Sequence, residues 1–215
     1  MKKLVIFDLD GTLLNTIDDL GDAANYVMRH YGYPEFTSEE YKYKVGHGIR
    51  KLVERALPQE HRTSQEVDEA TALFMPYYEL HKADKTCPYS GIPELLMYLQ
   101  MKGVRIAVAT NKAQKAVEGL MRYYFPQIHF LATIGQSDRV PAKPDPTIVH
   151  EIIRRAGLTK DEVLYVGDSN VDMETARNAD VEACGVTWGF RKREELEAYR
   201  PAHIIDDPKQ ILELL

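Results

Sequence analysis

The ten residues KLVIFDLDGT, numbered 3–12, decide the fold that we predict for this chain. Leu4 to Phe7 are contiguous apolar residues, and half of them are β-branched, which is typical of a short strand buried on both faces. We therefore predict a strand over Lys3 to Leu9. Asp8 and Asp10 lie at the end of this strand, and open parallel sheets bind ligands beyond the carboxyl ends of their strands. The stretch thus predicts a functional site at this point.

Beyond residue 82, helical and extended patterns alternate along the chain, with the helix first in each pair. This alternation indicates a parallel sheet covered by helices on both faces. A last helix is predicted to start at Asp207 and Pro208, a cap residue followed by proline. The predicted pairs are Ile92 to Met101 with Val104 to Ala109, Ala113 to Tyr124 with Phe130 to Ile134, Pro146 to Ala156 with Val163 to Val166, Val171 to Asn178 with Val181 to Val186, and Arg193 to Tyr199 with His203 to Ile205.

Residues 15–82 have a helical spacing of apolar residues instead. Two helix starts are predicted at capping-box spacing, Thr16 with Asp19 and Thr63 with Glu66. Proline at position 76 should kink the last of these helices. We therefore predict an α/β core of residues 1–14 and 83–215 that is interrupted by an all-helical domain of residues 15–82.

The composition indicates a globular protein that does not bind nucleic acid. Hydrophobic residues make up 44% and charged residues 28% of the chain, close to the average for soluble proteins. A net charge of -6 without a basic cluster argues against a nucleic-acid partner.

We predict neither a signal peptide nor a membrane span, because Asp8 ends the first apolar stretch and no apolar run is long enough. Cys87 and Cys184 are interpreted as ordinary reduced residues, and a cytoplasmic enzyme is expected. The oligomeric state is not predicted.

Polar residues follow the other predicted strands as well. Thr110, Asn111 and Lys112 follow the second strand, Lys143 lies in a later loop, and Asp168 and Asp172 follow the fourth strand. The sheet would bring these residues to one crevice. Crowded carboxylates stay ionised only beside a cation, so Mg²⁺ is predicted, with Asp8 and Asp168 as candidate ligands. Asp172 either ligates the ion or orients the site.

These residue types suit phosphoryl transfer. Asp8 can attack phosphorus without a base and form an aspartyl-phosphate, and Asp10 can act as the acid and then as the base. Thr110 and Lys143 would hold the phosphate oxygens. Asn111 is a further candidate for substrate binding, although Asn111 and Lys112 fit a solvated loop equally well.

The motif Asp8-Leu9-Asp10-Gly11-Thr12, followed in order by Thr110, Lys143 and the acidic pair Asp168 and Asp172, resembles the haloacid dehalogenase superfamily. The resemblance covers nearly the whole chain. It implies a Rossmann-like core and a cap domain, residues 15–82, that closes over the site. It also implies the roles given above for these residues, with the backbone carbonyl of Asp10 as a metal ligand.

Within the superfamily the chain is similar to the phosphoglycolate phosphatases, on residues 46–48 and 52–57, 110–112, and 178–180 and 185–191. Three residues depart from that pattern: Asn15 replaces Asp, His47 replaces Asn, and Asp180 replaces glycine at a position where Asp tolerates a left-handed backbone. The expected substrate is a small anionic phosphomonoester of about two to four carbons, because a closing cap limits size. His47 and Arg50 are either substrate contacts or solvated residues.

Three alternatives stay open at this point. A phosphomutase similar to β-phosphoglucomutase would use the same aspartyl-phosphate, and a pyrophosphatase would act on a related substrate. A signalling receiver domain also gathers acids, a Thr and a Lys around a phosphorylated Asp. However, it carries its acceptor on a middle strand and has no large helical insertion.

Overall fold

Strand β1, Leu4–Phe7, is an inner strand of a six-stranded parallel sheet. Its side chains alternate between two apolar clusters, because successive residues of a strand point to opposite faces. Leu4 and Ile6 pack in one cluster, and Val5 and Phe7 pack in the other. All four residues are fully buried. The apolar run that begins the sequence is therefore explained by a strand that is covered on both faces.

The structure is a computed structural model that describes residues 1–137 and 140–215. The strands are β1, β2 (Leu14–Asn15), β3 (Cys87–Pro88), β4 (Arg105–Ala113), β5 (Ala132–Gln136), β6 (Val163–Gly167), β7 (Glu182–Val186) and β8 (His203–Ile205). The helices are α1 (Ile17–Tyr31), α2 (Ser38–Lys42), α3 (Ile49–Ala56), α4 (Ser64–His81), α5 (Ile92–Met101), α6 (Gln114–Tyr124), α7 (Thr147–Ala156), α8 (Asn170–Ala179) and α9 (Arg193–Glu197). The order of strands in the sheet is β5-β4-β1-β6-β7-β8.

This sheet confirms the predicted fold class, an α/β Rossmann-like fold. One apolar cluster joins the sheet to α5 and α6, and the other joins it to α7 and α8. The chain divides into two compact units, Met1–Leu14 with Pro88–Leu215, and Asn15–Cys87. The first unit contains the sheet. The second contains α1 to α4 and a short 3₁₀ helix, Gln59–His61.

The register of the sheet decides which residues share its carboxyl edge. Phe7 on β1 is paired with Val108 on β4 and with Val166 on β6. Asp8 therefore follows β1 at the level where Ala109 continues β4 and Gly167 ends β6. Thr110 and Asp168 come one residue later on their strands.

One local prediction at a helix end was wrong. Thr16 is the N-cap residue of α1 but makes no side-chain capping bond, and the buried Asp19 carboxylate accepts hydrogen bonds from the backbone of Lys85 and Thr86. The predicted start of the last helix is confirmed: the segment Pro208–Leu214 is a 3₁₀ helix with Asp207 as its N-cap residue. The capping box of Thr63 and Glu66 is confirmed.

Other local predictions can be compared directly with the structure. Helix α4 runs from Ser64 to His81 as one element that includes Pro76. Asp180 has a left-handed backbone with φ of 59°, as the sequence predicted. Both cysteines are free thiols. Among the described residues, no helix combines the length and the apolar character that a membrane span requires.

Candidate active site

Three buried carboxylates form the centre of the site. Asp8 follows β1, and Asp168 follows β6, while Asp172 lies in the first turn of α8. One oxygen from each of the three lies within 4.8 Å of the others. Such a cluster is unfavourable without nearby positive charge, because like charges repel strongly when they are removed from water.

Lys143 supplies part of this charge. Its Nζ donates a hydrogen bond of 2.7 Å to Oδ1 of Asp172 and one of 3.1 Å to the hydroxyl of Tyr165. It also forms an ion pair with Asp8, in which Nζ lies 2.9 Å from Oδ1. The Lys143 side chain is only 2% exposed. The loop lysine that the sequence singled out is therefore part of the acidic cluster.

Asp172 is held by protein donors on both of its carboxylate oxygens. Oδ1 accepts from Lys143 and, at 3.2 Å, from the hydroxyl of Tyr165. Oδ2 accepts from the backbone N–H of Ser169 and, at 2.6 Å, from its hydroxyl. Ser169 is the N-cap residue of α8, so this pair is a capping box. These contacts favour an orienting role for Asp172.

Asp168 is positioned by two segments of the chain that are distant in sequence. Its Oδ1 accepts from the Thr12 hydroxyl at 3.2 Å, and its Oδ2 accepts from the backbone N–H of Phe190 at 2.7 Å. Gly11 and Gly189 lie against it so closely that a Cβ atom at either position would overlap the Asp168 side chain. The residues that surround Asp168 therefore leave little freedom to its carboxylate.

The electrostatics of the cluster follow from burial. Burial raises the pKa of Asp8 from 3.8 to about 7; Lys143 opposes this shift and Asp172 adds to it. Burial and then repulsion from Asp172 and Asp8 raise the pKa of Asp168 to about 8. Burial disfavours the charged form of Lys143, but Asp172 and Asp8 outweigh it and raise its pKa well above the usual value. The cluster therefore retains protons near neutral pH unless a further cation displaces them.

This donor set fits a hard divalent cation. When all three are ionised, these carboxylates exceed the single positive charge of Lys143, and oxygen ligands suit Mg²⁺. Because the oxygens of Asp172 accept from protein donors, Asp8 and Asp168 are the better candidates for direct ligands. The carboxylate of Asp10 does not belong to the cluster of three, so its suggested role as a ligand concerns its backbone carbonyl and stays a prediction.

The segment Thr110-Asn111-Lys112 occupies the end of β4, and all three residues are buried. The Thr110 hydroxyl accepts from the backbone N–H of Lys112 at 3.2 Å. The Asn111 side chain bonds both backbone groups of Lys143, accepting from its N–H at 2.7 Å and donating to its carbonyl at 3.1 Å. These bonds show how Asn111 positions Lys143; its suggested contact with substrate stays a prediction.

Lys112 is a part of the site that the sequence did not assign. Its Nζ donates to both carboxylate oxygens of Asp10, at 2.9 and 3.2 Å. The signals in the sequence were its position beside Asn111 and its place in the segment 110–112 that resembles the phosphoglycolate phosphatases, and neither assigned it a role. Tyr165 and the Phe190 backbone were also missed, because a buried strand residue and a backbone N–H carry no motif.

His47 and Arg50 lie in the helical unit, Asn15–Cys87. Arg50 is half exposed and forms an ion pair of 2.8 Å with Asp68, as well as a bond to the Ser64 hydroxyl. The Nδ1 atom of His47 lies 3.3 Å from a guanidinium nitrogen of Arg55. These contacts lie inside the helical unit, and a contact of either side chain with substrate stays a prediction.

The fold and the site define a class of protein: an α/β protein in which acidic and lysine side chains meet at the carboxyl edge of a parallel sheet. Residues 5–186 match the family model of the haloacid dehalogenase-like hydrolases. Relatives named phosphoglycolate phosphatase include one from Pseudomonas putida, 34% identical over 99% of this chain and 79% of its own length. Another, from Vibrio cholerae, is 32% identical over 99% of this chain and 96% of its own length.

A solved structure is similar over the whole chain. The protein from Lactobacillus delbrueckii subsp. bulgaricus, whose assignment as a phosphoglycolate phosphatase is provisional, superposes with a TM-score of 0.94. It is 34% identical and covers 100% of this chain and 98% of its own. This chain belongs to the haloacid dehalogenase-like hydrolase family, and it is an enzyme of the phosphatase type.

Proposed function

We propose that this enzyme is a magnesium-dependent phosphatase of small phosphomonoesters, with an aspartyl-phosphate on Asp8 and with phosphoglycolate as its preferred substrate. One observation carries the mechanism: the Asp8 carboxylate lies 2.9 Å from the Lys143 ammonium, and one of its oxygens lies within 4.8 Å of an oxygen of Asp168. It therefore has a cation beside it, as well as an acidic partner with which it could share Mg²⁺. A carboxylate in this environment is suited to attack phosphorus.

In the first step, an oxygen of Asp8 forms a bond to phosphorus while the bond from phosphorus to the substrate oxygen breaks. Asp10 donates its proton to that oxygen, which leaves as an alcohol. In the second step, Asp10 accepts a proton from water, the water oxygen bonds to phosphorus, and the bond to Asp8 breaks. The products are an alcohol and inorganic phosphate, and both aspartates return to their starting states.

The other residues of the site stabilise charge and orientation. Lys143 would offset the charge on the transferring oxygens, and the Thr110 hydroxyl would donate a hydrogen bond to one of them. When bound, Mg²⁺ would neutralise the phosphate oxygens and the acidic cluster, with Asp8 and Asp168 holding it. Asp172 and Tyr165 orient Lys143 through their hydrogen bonds to its ammonium.

Two relatives named phosphoglycolate phosphatase, each of which matches 99% of this chain, support phosphoglycolate as the substrate. We propose that the helical unit acts as a cap that excludes water and large substrates, which favours a small phosphomonoester over a nucleotide or a nucleic acid. The net charge of -6 agrees with this preference, because polyanions need clustered basic residues. The cytoplasmic location stays a prediction.

The mechanism is tested with Asp8→Asn, in which the amide matches the carboxylate in shape but cannot attack phosphorus. We expect hydrolysis of phosphoglycolate to be abolished, while the control Asp161→Asn, at an exposed aspartate of the 3₁₀ helix Lys160–Glu162, keeps wild-type activity. Chelator should remove activity, and Mg²⁺ should restore it. Phosphate release by Asp8→Asn near the wild-type rate would contradict the assignment of the nucleophile.

The substrate is tested by comparing kcat/KM for phosphoglycolate, glucose 1-phosphate, pyrophosphate and a nucleoside monophosphate. We expect the highest value for phosphoglycolate. Conversion of the sugar phosphate to its 6-isomer would identify a phosphomutase, and a highest value for pyrophosphate would identify a pyrophosphatase. Either result would refute the proposed substrate while leaving the role of Asp8 intact.

A further inference from the structure

The site contains two buried lysines, and they contact different acids. Lys143 forms ion pairs with Asp8 and Asp172, whereas Lys112 donates hydrogen bonds to both carboxylate oxygens of Asp10. The Lys112 side chain is 2% exposed, and that of Asp10 is 20% exposed. An ammonium is costly to bury, and a buried ion pair often adds little net stability. A lysine that is buried against one carboxylate is therefore expected to serve a purpose other than stability.

The backbone around Lys112 departs from regular strand geometry. Strand β4 pairs with β5 in register up to Ala109, and the register shifts before pairing resumes at Ala113. The irregularity spans Thr110-Asn111-Lys112. Such irregularities in a strand change the direction in which its side chains point, and they are common beside active sites.

Neighbouring residues accommodate this irregularity. A Cβ atom on Gly135 of β5 would lie 2.5 Å from the Lys112 carbonyl oxygen, so the close approach requires glycine. The Gln114 side chain bonds the backbone of β5, accepting from the N–H of Gly135 at 2.6 Å and donating to the carbonyl of Thr133 at 3.1 Å. It thereby pairs backbone groups of β5 beside the shift in register. Several residues thus support the backbone conformation that presents Lys112 to Asp10.

We propose that Lys112 is a positioning residue that orients the Asp10 carboxylate towards the leaving oxygen of the substrate; this inference rests on the acid and base role proposed for Asp10. Two hydrogen bonds from one ammonium restrict both the rotation and the position of the carboxylate. The cation also stabilises the negative charge that develops on Asp10 as its proton passes to the leaving oxygen. The pair acts in forming the alcohol, whereas Lys143 acts on the transferring phosphate.

The test compares substrates that differ in their need for an acid. Ethyl phosphate must release an alcohol, which requires a proton, whereas acetyl phosphate releases acetate, which does not. The two have similar size, and neither carries the carboxylate of phosphoglycolate, which is the third substrate. The parameter is kcat/KM, because it reports the steps up to formation of the aspartyl-phosphate. The variants are Lys112→Met and Lys112→Gln, which remove the charge, and Lys112→Arg, which retains it.

We expect Lys112→Met to lower kcat/KM about 10- to 100-fold for ethyl phosphate and phosphoglycolate, because a misoriented acid loses most of its effect. The value for acetyl phosphate should stay near wild type, and Lys112→Arg should recover part of the loss. Lys112→Gln gives the same comparison if the Met variant does not fold. Lys115→Met, an exposed lysine three residues along on α6, is the matched control and should equal wild type.

Other patterns would overturn the proposal. An equal loss for all three substrates would indicate a structural role, and a loss for phosphoglycolate alone would indicate contact with its carboxylate. In an Asp10→Asn background, Lys112→Met should cause no further loss for ethyl phosphate, and a further loss would show that it does not act through Asp10. If Asp10→Asn alone keeps wild-type activity, the proposed role of Asp10 fails, which is a separate result.

Discussion

Replacing Gly189 with alanine should disable the site by displacing Asp168. Gly189 follows β7, and a Cβ atom there would lie 2.6 Å from Cγ of Asp168 and would also overlap Asp168 Cβ and the Gly11 carbonyl oxygen. Carbon atoms pack favourably at about 3.5 to 4.0 Å, so the two segments must separate by roughly 1 Å. The contacts are with a buried side chain and a backbone atom, neither of which can move away easily.

The expected cost has two parts. Overpacking of a buried site costs about 1 to 3 kcal/mol, and weakening the bond from the Phe190 N–H to Asp168 adds about 1 kcal/mol or more. The free energy of unfolding should therefore fall by about 2 to 4 kcal/mol, which lowers Tm by roughly 4 to 16 °C for a chain of this size. A displacement of about 1 Å beside the nucleophile should lower kcat by roughly 100-fold.

Thermal unfolding in chelator and steady-state phosphate release measure these two effects. Gly185→Ala on β7 is the control, because its Cβ atom would lie 3.3 Å from a terminal carbon of Leu196, so a displacement of only a few tenths of an ångström would relieve the contact. We expect this control to change the free energy of unfolding by less than about 1 kcal/mol and to leave kcat unchanged. A Gly189→Ala enzyme with wild-type Tm and kcat would refute the argument from close packing.

Three further predictions concern the charged network of the site. Lys143→Met leaves the acidic cluster without its ammonium, so the free energy of unfolding should fall by about 3 to 5 kcal/mol in chelator and by less in Mg²⁺. A Tm of the variant that is equal in both solutions would contradict this. Tyr165→Phe removes the hydroxyl that bonds Lys143 and Asp172, so kcat should fall several-fold with KM near wild type, and an unchanged kcat would count against the orienting role. The pKa of Asp8 is raised to about 7 and that of Asp168 to about 8, so Mg²⁺ must displace protons from these carboxylates. The affinity for Mg²⁺, measured by calorimetry, should therefore fall as the pH is lowered from about 8.5 to about 6. A constant affinity would show that these groups are not the ligands.

Much of the fold could be predicted because its signals are local. The apolar run at Leu4–Phe7 predicted a strand covered on both faces, and the alternation of helices and strands predicted the parallel sheet. The wrong prediction fell at a helix end, where local signals compete with tertiary contacts. Asp19 had the spacing of a capping box with Thr16. In the folded chain, however, the Asp19 carboxylate accepts hydrogen bonds from the backbone N–H groups of residues 85 and 86.

Part of the site could be predicted for a related reason. Asp8 and Asp168 directly follow strands that pair with each other, so the parallel sheet alone brings them together. Lys143 lies in a loop, and the structure places it in the acidic cluster. The catalytic and metal-binding roles of these residues stay predictions until the proposed variants are measured.

The sequence by itself thus determined the class of fold and which acidic residues stand at the ends of its strands, because both depend on residue order and on periodicity. Only the tertiary structure decided that Lys112 bonds Asp10, that Tyr165 and Ser169 hold Asp172, and that Gly189 lies against Asp168. The physical reason is that these contacts depend on a shift in strand register, on side-chain direction and on close packing between segments distant in sequence. No local pattern of residues encodes such a shift in register, such a side-chain direction or such a packing contact.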